Sequence, residues 1–373
     1  MRRKWHIPAI LLFGGMLASC VYSYDDLPDS SENRYPVFDG SIVIGDKATL
    51  TCGWTTGLDG FERNPVDPAS LVWYVEDSEG DRYEPLDGTV DMRNAPADRS
   101  YRIHAELLEN EYESDWQTAL DPPEIGEIRF AADATQVRVL TDFTEAEEST
   151  GYITYSIEET WEFHVPYVAD YSVNPETWQV SVLMEQDLTD YYCWKTQNTH
   201  AEYLMDMTHL DGRAENVTVN NYYRTDSRNH RNYSILVKVR TLSEKEYKYR
   251  YNQLRNITGG NDLFTPNPGD LPGNISCLTD PDQLVYGYVS LSRMTQKRAF
   301  MDDRFQRYVP PGLNGFIILT EDQYPLYYYQ LNYRPVKLVT LDEVTGVGWA
   351  PLRCIDCTAD GGTHETPTFF LSR

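Results

Sequence analysis

Short runs of alternating apolar and polar residues, set about ten residues apart, constrain this chain more than any other feature. "GSIVIGDKATLTCGW", "SLVWYVED", "SYRIHAELL", "EIGEIRFAA" and "TQVRVLTDF" follow one another with Asp, Gly, Ser and Pro between them. A strand buries one face at a period of two, whereas a helix needs an apolar stripe at a period of about 3.6, so these runs are strands. Strands of this length, spaced by turn residues, predict an immunoglobulin-like β-sandwich over residues 37–146. The acidic stretch "TDFTEAEESTG", residues 141–151, lacks an apolar face and reads as an interdomain linker or exposed loop.

The remainder continues the β pattern in "YITYSIEETWEFHVPYV", "WQVSVLM" and "NYSILVKVRTL", while "LVYGYVSLSRMTQKRAFM" is long enough for one strand or a bent pair. One helix is expected, at about 243–258, in "SEKEYKYRYNQLRNITGG". Ser243 and Glu246 have the spacing of a capping box, Tyr247, Tyr251 and Leu254 share a face, and Gly259 and Gly260 stop it. The expected fold class is thus mainly β: an N-terminal sandwich, then a larger β-rich domain over 151–373 with one packed helix.

The N-terminus predicts where the chain resides. Arg2, Arg3 and Lys4 precede the apolar "IPAILLFGGML", the pattern of a signal peptide over 1–19 that is too short to span a bilayer. "LASC" has the form of a bacterial lipobox, making Cys20 the lipidation site, and residues 20–36 read as an acidic tether. Several acyl chains would hold such a protein durably, since each buried methylene contributes about 0.8 kcal/mol. The expected location is the outer membrane, lipid-anchored and exposed at the cell surface.

With 32 basic and 58 acidic residues, the formal net charge is −26. Such a chain repels phosphate backbones and anionic head groups, so nucleic acid and a basic membrane-docking face are not expected partners. Attraction of cations or of a basic partner is compatible with it.

Beyond Cys20, five thiols remain: Cys52, Cys193, Cys277, Cys354 and Cys357. Cys52 reads as a buried strand residue and the odd one out. The pair in "RCIDCTADGGTH" has spacing compatible with a redox motif, half of a zinc site with Cys193 and Cys277, or disulfides. An exported chain favours the oxidised state, with connectivity open among Cys193, Cys277, Cys354 and Cys357. No catalytic residue can be named, and no metal or cofactor is expected. The chain has no G-x-S-x-G elbow, phosphate loop or dinucleotide fingerprint, "HETP" is half of a zincin motif, and the histidines are scattered, His200 and His209 being the nearest to a pair. Tyrosine is abundant, at 28 residues. "YYYQLNY" offers Tyr327, Tyr328, Tyr329 and Tyr333 as ligand-contact candidates, against the reading that they simply pack a sheet.

Taken in order, "YSIEETWEFHVP", "DYYCWKTQ", "NYSILVKVRTLSEKEYKYRYNQLRNITG", "DLFTPNPGDLPGNISC", "DPDQLVYGYVS" and "CIDCTADGGTHETPTFF" resemble the domain-of-unknown-function 4249 family of Bacteroidetes lipoproteins, from about residue 151 to the end. The acidic residues after Cys20 also resemble the surface-export signal of such lipoproteins. The resemblance implies a non-enzymatic accessory to a TonB-dependent outer-membrane receptor, capturing or presenting a ligand. It brings no catalytic residues. Cys193, Cys277, Cys354 and Cys357 fall in the family motifs and Cys52 does not, and the tail "TFFLSR" lacks the Trp that relatives often carry. An adhesin or pilus-like subunit is the alternative, and a surface hydrolase a further one.

Overall fold

The computed structural model describes residues 34–371, apart from 56–63, 148, 186, 200–201, 259–272, 306–314 and 342–343. The signal segment, the lipidation candidate Cys20 and His200 lie outside the described residues. Among the described residues, no helix is long and apolar enough to cross a membrane.

The chain is mainly β. The first alternating runs form β1 (Pro36–Ile44), β2 (Lys47–Trp54), β3 (Leu71–Asp77), β4 (Thr89–Asp91), β5 (Ser100–Leu107) and β6 (Asn110–Ser114). There follow β7 (Gln136–Thr144), β8 (Tyr152–His164), β9 (Tyr192–Asn198), β10 (Tyr203–Asp206), β11 (Arg213–Tyr223) and β12 (Arg231–Thr241). After the helix α1 (Glu244–Thr258) come β13 (Ile275–Cys277), β14 (Tyr286–Arg293) and β15 (Thr295–Phe300), then the short α2 (Tyr324–Tyr329) and the hairpin β16 (Tyr333–Leu341) and β17 (Val344–Pro351).

The period of two decides the sandwich core. In β2, Ala48, Leu50 and Cys52 point inward while Lys47 and Thr51 stay exposed. Phe38, Ile42 and Leu50 from one sheet meet Trp73, Val75, Ile103 and Tyr112 from the other. Tyr101, fully buried at the start of β5, donates its hydroxyl to the Pro96 carbonyl at 2.6 Å, the tyrosine corner of immunoglobulin-like domains. In domains with an intersheet disulfide the second cysteine stands two residues after that tyrosine; here the position is Ile103, which leaves Cys52 a buried thiol.

Chain order does not divide the cores. β1 pairs antiparallel with β2 on one side and parallel with β14 on the other, from Val37↔Tyr286 to Ile44↔Arg293. β6 pairs with β13. Both added strands follow α1. Conversely β7, expected within 37–146, pairs with β11, and its Val137, Val139 and Phe143 enter the second core beside Ile153, Ile157, Ile235 and Val237. The division into 37–146 and 151–373 is therefore corrected: the sandwich is β1 to β6 completed by β13 and β14, and β7 belongs to the second body. Alternation reports which face of a strand is buried, and says nothing about which distant segment will pair with its edge.

The long run at 284–301 is a bent pair that serves both bodies. β14 completes the sandwich sheet, whereas β15, one residue beyond it, pairs with β12 in the sheet ordered β9-β8-β12-β15. Helix α1 packs where the bodies meet. Ser243 Oγ accepts from the Glu246 amide at 3.1 Å, half of the expected box, while the Glu246 carboxylate turns to arginines instead. Tyr247 stacks on Tyr152 at 4.3 Å, but Tyr251 and Leu254 are 44% and 47% exposed. Glu246 is buried and Tyr247, Tyr249 and Arg250 are half-buried, so of the apolar stripe expected from spacing only Tyr247 packs.

Candidate functional site

The cysteine candidates separate. Cys193 on β9 and Cys357 form a disulfide across 164 residues. Trp194 and Thr363 exchange backbone hydrogen bonds at 2.8 and 2.9 Å beside it, and Gly362 lies so close that a Cβ there would come within 2.5 Å of Cys193 Cβ. His364 joins the two sulfurs within metal-ligand reach, and its Nε2 lies 3.3 Å from Asp190 Oδ1, but both sulfurs are spent in the bond. Cys277 is buried in the sandwich core on β13, and Cys354 in a small cluster with Val336, Ala350 and Ile355. Cys277 and Cys354 thus sit in packing clusters separate from each other and from the bonded pair, and the four cysteines do not converge on one site. The C-x-x-C pair does not close on itself; it ties the tail to β9.

The tyrosine candidates pack among themselves. Tyr327, Tyr328 and Tyr333 surround a small core of Leu319, Tyr324 and Trp349. Trp178 sets its edge against Tyr328 and Tyr329 at 5.9 Å each, and the Arg334 guanidinium lies 4.1 Å above Tyr328. Tyr329 is 65% exposed. Ring edges meeting ring faces are the arrangement aromatic packing prefers, and it accounts for this cluster without a ligand.

The concave site lies elsewhere, in a cleft of about 620 Å³ between the bodies. Its floor is the outer face of the sheet β2-β1-β14. Because Phe38, Ile42, Leu50 and Val289 turn inward to the core, the alternate residues Asp39, Ser41, Val43, Thr49, Thr51, Ser290 and Ser292 turn outward into the cleft. Its roof brings Arg250, Gln253 and Leu254 from α1, Leu204 from β10, Arg240 from β12, and Glu202. Met294, the residue between β14 and β15, closes one side.

Four charges in the roof form a ring. Arg240 donates to Glu246 at 2.9 Å and to Glu202 at 3.3 Å; Arg250 donates to Glu202 at 2.8 Å and to Glu246 at 2.7 Å. Burial works to raise the Glu202 carboxyl, but Arg240 and Arg250 outweigh it and hold the group below its ordinary range. On the floor, Asp39 is different: crowding raises its carboxyl, Arg250 only partly offsets this, and Glu202 adds to it. Ser292 is 2% exposed, and its hydroxyl has no hydrogen-bond partner among the described residues.

Among the described residues, neither histidine nor cysteine lines the cleft, so it pairs no hydroxyl with an imidazole base. Its chemistry is that of a hydrogen-bonding cleft with one exposed carboxylate, Asp39, that lies in the field of Arg250 but is in no ion pair or side-chain hydrogen bond among the described residues. None of these residues was a sequence candidate. Asp39 and Ser292 are ordinary outward positions of strands, and Arg240 and Arg250 sit on β12 and α1, where their charges carry no spacing signature; the sequence signals touching the site were Glu246 in the capping box and Leu254 on the expected apolar face of the helix.

No curated protein matches the chain. The family-model match begins at residue 24, ahead of β1, takes in the whole sandwich and the strands that return to it, and ends in β15, before the disulfide-bonded tail. It covers residues 24–298, about three quarters of the sequence, and so the chain belongs to the family described as domain of unknown function (DUF4249).

Proposed function

We propose that this is a lipid-anchored, surface-exposed protein of the outer membrane that serves a TonB-dependent receptor as a non-enzymatic accessory, capturing a ligand in the cleft and presenting it. The observation that carries the ligand-capture part is the cleft itself, built by elements of both bodies. A sheet face that turns hydroxyls and a carboxylate into a roofed cavity is a binding surface rather than a packing surface. The lipobox at Cys20 and the acidic tether support the location, and they leave the globular part free to reach a neighbour in the membrane. Membership of the family supports the receptor partnership only through what the resemblance implies.

A pilus-like role by strand exchange is less favoured, because β1 and β6, sandwich edges that would accept a donated strand, are already paired with β14 and β13 of the same chain. Affinity purification of the full chain from detergent-solubilised membranes at native abundance tests the proposal. Co-recovery of a β-barrel receptor is the expected result; recovery of the chain alone rejects the partnership.

A further inference from the structure

We propose that the cleft takes a small ligand bearing a primary ammonium on a hydroxyl- or amide-rich frame, with the ammonium on Asp39 and the frame across the hydroxyl floor. This deepens the ligand-capture reading of the same cleft and rests on it.

The charge balance of the lining selects the ligand. Each roof arginine bridges both glutamates, so the ring of Arg240, Arg250, Glu202 and Glu246 is neutral and its cations are already held. An anion entering would have to break ion pairs and face a chain of net charge −26. The carboxylate left over is Asp39. Its backbone carbonyl accepts from Thr51 Oγ1 at 3.1 Å, but the carboxylate itself accepts no hydrogen bond among the described residues. A cation with N–H donors is the group that completes it, and charge-assisted hydrogen bonds of this kind are the strong ones.

The rest of the lining selects the frame. Ser41 and Thr49 bond each other at 3.2 Å, and Ser290 leans on the Gly40 carbonyl at 3.4 Å. Hydroxyls donate and accept, so bonds of this sort exchange readily for bonds to a hydroxylated or amide ligand. The Ser292 hydroxyl is buried with no hydrogen-bond partner among the described residues, and a buried hydroxyl costs stability unless it is bonded. Val43, Leu204, Leu254 and Met294 are too few to hold a large apolar ligand. A volume of about 620 Å³ suits a ligand of one to a few sugar rings or a short peptide.

An amino sugar and a lysyl peptide both carry this chemistry, and the test separates them. Titration calorimetry of the full chain in detergent would use glucosamine against N-acetylglucosamine, N-acetyl-Gly-Lys-Gly-amide against its side-chain-acetylated form, and glucuronate. At least one free amine should bind, with its acetylated partner about tenfold weaker or worse and glucuronate silent. The amine that binds identifies the source. Asp39→Asn should remove the preference for amine over acetylated ligand, and Ser292→Ala should weaken the same ligand a few-fold while circular dichroism shows the fold intact. Equal binding of free and acetylated ligands, an unchanged preference in Asp39→Asn, or no binding by any probe would overturn the assignment. Loss of the ligand class with a co-purifying receptor leaves the accessory role standing; amine binding without a receptor leaves the cleft assignment standing alone.

Discussion

The two bodies of this protein are closed by different means. The sandwich core holds two buried thiols, Cys52 and Cys277, and is completed by backbone pairing between segments far apart in the chain, β1 with β14 and β6 with β13. The second body holds the one disulfide among the described residues, Cys193 to Cys357, which fastens a tail that makes little regular structure of its own. A strand arriving at an open edge satisfies its own amides and carbonyls and those of the edge, so it stays without covalent help. A tail of turns has no such ladder, and a bond that closes a long loop is the more effective restraint there.

The sharpest way to break this comparison is at Gly287. Its φ is +107°, and a Cβ there would fall 1.7 Å from the Phe38 carbonyl oxygen on β1, with nothing flexible to give way. Gly287→Ala should cost about 4 kcal/mol or more, or abolish folding. Urea unfolding followed by tryptophan fluorescence would measure this, and a loss under about 1 kcal/mol would show that β14 is dispensable to the sandwich.

Next in size is the covalent closure. The Cys193→Ala, Cys357→Ala double variant should lose about 3 kcal/mol. Limited proteolysis should then cut first in the tail after β17, with the sandwich surviving longer. Uniform loss of both bodies would mean that the tail braces the whole molecule.

The sandwich thiols should behave as packing, not as linkage. Cys277→Ala is expected to cost about 1 to 2 kcal/mol, and non-reducing mass spectrometry should find Cys52 and Cys277 as thiols. Burial pushes the Cys52 thiol up from its ordinary 9.0 to about 11. Because the folded value exceeds the unfolded one, the stability from keeping this thiol neutral is full below about pH 9 and is lost as pH rises toward 11. Alkylation of Cys52 at pH 8 should accordingly need prior unfolding. Labelling of the native chain at that pH would contradict the burial.

The smallest effects belong to exposed side chains on which neither closure depends. Tyr329→Ser, at a residue 65% exposed, should change stability by less than about 0.5 kcal/mol. Asp39→Asn should be neutral or slightly stabilising at pH 7. The folded-state carboxyl of Asp39 is raised, so its ionised form is the disfavoured one, and stability tied to its protonated form declines as pH climbs through that raised value. Thermal unfolding of both variants at pH 5 and 7 checks the sign.

Much of this fold was legible in advance, and the misses are specific. Alternation identified the strands of the sandwich and the face of each that is buried, as in Ala48, Leu50 and Cys52. Ser243 and the glycine pair located the helix. The packed face of that helix was only partly read because Glu246 is buried and Arg250 half-buried by ion pairs, whereas periodicity counts only apolar residues. In "YYYQLNY" the rings of Tyr327, Tyr328 and Tyr333 pack on a small core while Tyr329 stays exposed, and composition does not distinguish a ring that meets a ligand from a ring that meets Trp178. The cleft residues were not legible, because hydroxyl-bearing residues on the outer face of a strand look the same whether they meet water or a roof.

What the sequence determined alone was local: where strands and one helix form, which faces turn inward, which cysteines were candidates for bonds, and the family. Tertiary structure alone decided that β14 and β13 return to the sandwich, that Cys357 reaches Cys193 rather than Cys354, and that Asp39 and Ser292 lie beneath Arg250. The reason is physical. Side-chain periodicity is a property of neighbours along the chain, while edge pairing, disulfide partnership and the walls of a cavity are properties of segments that meet only when both cores have closed.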